Sequence, residues 1–170
     1  PWKSDQLFAV RLDSWGPTGP WEEPNEPPPE LTWRDATALM QSDVPLRHAA
    51  MFKGMFTVQT EDPAFAPYMV HARISHKDFF ALFDTPFLYG GGWGDSADKT
   101  LEQVVVLGKA ANEKLFGGEN SVGRTLRIDE KPFKVIGVLD HWAPVPKFYD
   151  VNNGRFDEPE DIYLPWGIAV

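Results

Sequence analysis

Proline interrupts this chain so often that only short helices and strands can form in it. There are 16 prolines and 14 glycines in 170 residues, and their clustering implies short elements joined by structured loops rather than low complexity. In the densest cluster, residues 16–29 (GPTGPWEEPNEPPP), six prolines remove backbone donors and fix φ. Helix and interior strand are both excluded there. The rest of the chain is apolar and aromatic enough to bury one ordinary core or two small lobes.

Regular elements can be placed between these breaks. Gln6 to Asp13 alternates Phe8, Val10 and Leu12 on one face and predicts an opening strand. Thr32 with Asp35 three positions on, and Leu31 with Ala36, give a capping box and a hydrophobic staple. They predict a helix from Thr32 with a buried stripe of Ala36, Leu39 and Met40, ended before Pro45. Met51–Thr60 and Tyr68–Ser75 predict two strands, and Ser75, Asp78, Ile74 and Phe79 repeat the start signal for a second helix carrying Phe79, Leu82 and Phe83. After Pro86 come Gly90, Gly91, Gly92, Trp93 and Gly94, a flexible stretch that places a lobe boundary near Phe87. Beyond it, Val104–Leu107 predicts a buried strand, Lys109–Phe116 a helix stopped by Gly117-Gly118, and Arg124–Leu139 a hairpin turning near Asp129-Glu130-Lys131.

A formal net charge of -9 argues against a nucleic-acid surface and against docking on anionic lipid, both of which need clustered Lys and Arg. Without cysteine there is no disulfide framework, thiolate site or Cys nucleophile. Apolar runs such as Val104–Leu107 are far shorter than the ~20 residues of a membrane span. The start at Pro1-Trp2 and the apolar finish at Ile168-Ala169-Val170 are expected to be cuts from something larger.

No motif carries catalytic chemistry. The glycine runs match neither GxxxxGK[ST] nor GxGxxG and are expected to be turns. His48, His71, His76 and His141 form no HExxH or close pair, and Ser14, Ser42, Ser75, Ser96 and Ser121 lie in no GxSxG or SxxK. Asp150, Asp157, Glu158, Glu160 and Asp161 surround Asn152-Asn153-Gly154 but lack the alternation of a calcium loop, which predicts a solvated acidic loop. Trp15, Trp21, Trp93 and Trp142 fall in loops, where they either anchor the core or form a candidate interaction surface.

Two ordered segments are more specific. Residues 74–91, ISHKDFFALFDTPFLYGG, resemble the "(S/T)xxYFxxxGxPLxxGR" element of the MacB/FtsX-like ABC transporter permeases. The element after it, VVVL at 104–107, ANEKLFG at 111–117, SVGRTLRI at 121–128 and FKVIGVL at 133–139, resembles the second motif of the same periplasmic core domain. Asp84 stands where that pattern has Gly, and Gly91-Gly92 replace its Gly-Arg. The loops at 16–29 and 150–161 look like elaborations.

The resemblance implies an α+β, two-lobed mixed-sheet domain. Residues 1–86 would be the first half of a β-α-β membrane-proximal lobe, 87–165 a smaller inserted α/β lobe, and 166–170 the start of the return to the first lobe. The first lobe's sheet would then be unfinished, with a free strand edge through which the chain self-associates. By the same resemblance the domain sits on the periplasmic face of the cytoplasmic membrane, held by transmembrane helices outside this sequence. It works as a permease dimer with a cytoplasmic ATPase, engages a periplasmic adaptor or substrate protein, and has no catalytic, cofactor or metal site. The expected action is mechanical, with Gly90, Gly91, Gly92 and Gly94 as candidate hinge. Two other readings are a stand-alone glycan- or peptide-binding module using its tryptophans, and a metal-dependent hydrolase built from distant His and Asp residues.

Overall fold

A computed structural model describes residues 6–10, 31–144, 147, 149–150 and 158–169. The chain divides into two compact units, residues 1–46 and 47–170.

In the first unit the predicted capping box forms. Helix α1 spans Trp33–Leu39, with the Thr32 hydroxyl accepting from the Asp35 amide and the Asp35 carboxylate accepting from the Thr32 amide. The predicted stripe is not buried: no residue of α1 is, and Leu39 is 43% exposed. Residues 6–10 form no strand, and 11–13 lie outside the described residues.

The second unit holds β1 (Met51–Thr60), β2 (Tyr68–Ser75), α2 (Asp78–Leu82), β3 (Phe87–Gly90), α3 (Asp95–Lys99), β4 (Val104–Leu107), α4 (Lys109–Phe116), β5 (Thr125–Ile128), β6 (Lys131–Leu139) and β7 (Ile162–Pro165), ending in a 3₁₀ turn at Trp166–Ala169. Helix α2 starts later than its sequence signal. Ser75 stays in β2 and donates its hydroxyl to the Ala50 carbonyl, and Lys77 takes the cap position without a side-chain bond. Helix α4 ends as predicted: Gly117 at φ 67° turns the chain left-handed, and the Gly117 and Gly118 amides close back on Glu113 and Asn112.

The seven strands among the described residues form one mixed sheet in the order β3-β6-β4-β7-β2-β1-β5, and β5 also pairs with β6, closing the sheet on itself. Closure works because β6 is long. Its first residues, Lys131–Lys134, pair with β5 and its last, Gly137–Leu139, with β3, while β4 occupies the opposite edge. Strands from either side of the boundary expected near Phe87 therefore share one sheet. The expected free edge in the first half is present in part: β2 lies between β1 and β7, but β5 pairs with β1 only over Val58–Thr60, and no other described strand pairs with Met51–Phe56 on that side. The segment read as the onset of a return, 166–170, holds the 3₁₀ turn Trp166–Ala169, and strand β7 just before it, inside the segment assigned to the inserted lobe, is seated parallel to β2.

The sheet buries its inner face throughout and its outer face along β7, β4 and the end of β2, while Phe52, Met55 and Met69 stay exposed. Inside lie Val58, Val70, Ala72, Ile74, Val105, Leu107, Leu126, Ile128, Phe133, Val135, Val138, Ile162 and Leu164, with Ala111, Leu115 and Phe116 of α4. The inward positions of β6 switch from odd (Phe133, Val135) to even (Val138) because Ile136 is an extra residue opposite the Val105/Val106 step.

Candidate functional site

The outer face of β2, β7 and β4 carries residues that periodicity would place in solvent, and two groups of side chains cover them. The first is aromatic. Helix α2 places Phe79 and Phe80 edge-on to one another at 5.6 Å, with Phe83 4.9 Å from Phe79. Tyr163 of β7 lies 5.5 Å from Phe79, Tyr149 5.3 Å from Phe83, and Trp93 4.8 Å from Phe80. The Trp93 indole N–H donates to Asp98 (2.9 Å), which also accepts the Lys77 amide (2.8 Å). Burial nevertheless holds the Asp98 carboxyl above its usual range.

The second group is ionic, and sequence reasoning missed it. Arg73 projects from the middle of β2 and is 2% exposed. Its Nη2 donates to Asp150 Oδ2 at 2.7 Å and to Glu160 Oε1, and its guanidinium lies 5.2 Å from the Tyr149 ring centroid. Lys147, 3% exposed, donates to the Glu158 carbonyl and lies 3.4 Å from Glu160 Oε1, while Tyr149 donates its hydroxyl to Glu160 Oε2 (3.1 Å). Lys53 reaches Asp150 from the half-exposed side at 3.1 Å. Burial works against the Arg73 charge, but hydrogen bonds and charge from Asp150 and Glu160 outweigh it and raise its pKa. Burial, with Glu160 adding, raises the hydroxyl pKa of Tyr149 and Tyr163. The acidic stretch expected to be a solvated loop is therefore, at Asp150 and Glu160, a buried counter-charge. Asp157 lies outside the described residues.

The other expected residues disperse. Gly90, at φ 63°, packs where a Cβ would lie 2.1 Å from the Ile136 carbonyl oxygen, and a Cβ at Gly92 would lie 2.6 Å from the Phe80 ring. A Cβ at Gly91 or Gly94 would meet nothing within 4 Å. Trp93 is 7% exposed and offers no platform, Trp142 is half-buried, and Trp15 and Trp21 lie outside the described residues. His76 Nδ1 accepts the Ala50 amide (3.2 Å) and its ring stacks on Trp166 at 4.6 Å. His48 donates its amide to Asp78 (3.2 Å), and His71 donates its own to Asp161 (2.8 Å). Among the described residues no three His, Asp or Glu converge to hold a metal, and no helix is long and apolar enough to cross a membrane.

The closed mixed sheet, covered on part of its outer face by aromatic side chains and internally paired charge, is a fold that solved domains share. The periplasmic region of MacB from Actinobacillus actinomycetemcomitans matches with a TM-score of 0.61 at 18% identity, over 80% of this chain and 55% of that one. The extracellular domain of the noncanonic ABC-type transporter YknZ from Gram-positive bacteria matches at 0.58 and 18%, over 81% and 64%. The profile of the MacB-like periplasmic core domain matches residues 2–169, and the chain belongs to that family. The pyoverdine export ATP-binding/permease protein PvdT of Pseudomonas aeruginosa is 32% identical over 102 residues, 60% of this chain and 14% of that protein. The macrolide export ATP-binding/permease protein MacB of Wolinella succinogenes is 33% identical over 72 residues, 42% and 11%. The chain thus corresponds to a small part of these relatives, the extracytoplasmic domain of a MacB-like ABC transporter permease.

Proposed function

We propose that this domain transmits ATP-driven conformational change to a substrate or partner protein outside the cytoplasmic membrane and makes or breaks no bond itself. The observation that carries this is the family match over residues 2–169, together with relatives named as export ATP-binding/permease proteins. In this reading, transmembrane helices outside the sequence anchor the domain to the membrane, a cytoplasmic ATPase drives it, and two permeases act as a dimer with an adaptor or substrate protein. The division at residues 86/87 belongs to the same proposal. So does the hinge at Gly90, Gly91, Gly92 and Gly94, of which Gly91 and Gly94 have open space where a side chain would stand.

The test uses the full-length permease with its ATPase in lipid nanodiscs, spin-labelled on this domain in both subunits. Distances between labels should shift between the nucleotide-free and ATP-bound states. Distances that stay fixed through the cycle would refute the mechanical role. Stoichiometric zinc, or saturable binding to a glycan panel by a domain that does not move, would favour the hydrolase or the binding module respectively.

A further inference from the structure

Strand β7 is the narrowest join in the closed sheet. It supplies four residues, all buried, pairing with β2 over Ala72–Ser75 and with β4 only at Val106 and Leu107. Without it, β4, β6, β5, β1 and β2 would still be joined in that order through β5–β6. The sheet can therefore open at β7 and keep every other strand pair, and β7 has only two register pairs to hold it on β4.

Polar groups just before β7 decide its seating. The Asp161 amide donates to the His71 carbonyl (2.9 Å), its carboxylate accepts the His71 amide (2.8 Å), and its carbonyl accepts the Gly108 amide (2.8 Å). One residue earlier, Glu160 meets Arg73 and Lys147. Arg73, Lys147, Asp150 and Glu160 are all at most 9% exposed. Separating any of them strands a buried charge, so the cluster holds together or comes apart as a whole. The Arg73 Nε is already buried without a hydrogen-bond partner.

We infer that β7 is a docking strand. The cluster of Arg73 with Glu160 and Asp150 is the catch that seats it between β2 and β4, and β7 opens with its flanking residues as a unit while the other strands stay paired. The inference rests on strand pairing and burial alone and stands whether or not the domain moves with ATP.

The experiment is native-state hydrogen exchange, read by mass spectrometry on the 170-residue chain in low concentrations of urea. Peptides covering 72–75, 106–108 and 161–165 should exchange through an opening with a shallower urea dependence than peptides covering 125–134. In Glu160→Gln and Arg73→Met, exchange at the first group should rise about tenfold or more and that at 125–134 should change by less than about twofold. One common opening for all strands in the wild-type protein, or equal acceleration of both groups in the variants, would overturn the inference. If Arg73→Met does not fold, the wild-type urea dependence still decides.

Discussion

Asp84 follows the last turn of α2 at φ 47°, a left-handed conformation that glycine adopts freely and Asp only at some cost. This is the position where the family pattern has Gly, so the departure seen in the sequence is borne as backbone strain. Asp84→Gly should raise the unfolding free energy by about 1 kcal/mol, read from urea titration at pH 7. A decrease would mean that the Asp84 side chain contributes more than the strain costs. His76 gives a pH dependence. Its burial, partly opposed by the Ala50 backbone and Asp98 and reinforced by His48, depresses its pKa below the ordinary 6.5. The unfolded chain therefore takes up this proton first, so the contribution of His76 is intact above pH 6.5 and is lost as pH falls from there through the folded-state value. His76→Gln should flatten the slope of stability against pH between 6.5 and 5. Parallel slopes for the two proteins would remove His76 as the cause.

Among the elements, β5 and β6 show what local sequence can specify. The turn at Asp129 and Glu130 (φ 43° and 68°) has the positive φ pair of a tight hairpin, and Leu126 faces Phe133 as the alternation requires. Val138 lies in the core with no exposure, while Ile136 occupies the bulge and is half-buried. Val138→Ala should cost about 2–3 kcal/mol and Ile136→Ala clearly less, and thermal melts in the reverse order would refute the register. The capped start of α1 and the glycine stop of α4 were equally legible, because their signals lie within a few residues. The Arg73 cluster was not, since Asp150 and Glu160 are 77 and 87 residues from their partner. Carboxylates in a Pro- and Asn-rich stretch look solvated until the distant cation is placed. Ser75 misled for a similar reason: its hydroxyl serves the Ala50 carbonyl 25 residues away rather than the helix beside it.

At the scale of the whole molecule, every strand among the described residues and both buried layers belong to residues 47–170. A chain beginning at Arg47 should keep the β-rich circular dichroism of the 170-residue protein and a cooperative melt, and a non-cooperative melt would show that the first unit is needed for folding. The closed sheet also orders events during synthesis. The hairpins β1–β2 and β5–β6 join near neighbours and can form as soon as they emerge. The inner core stays open along one side until Ile162 comes level with Ala72. A chain interrupted anywhere before that point presents two unsatisfied strand edges and a wet core, so this domain is at its most vulnerable to aggregation and proteolysis just before β7 is delivered.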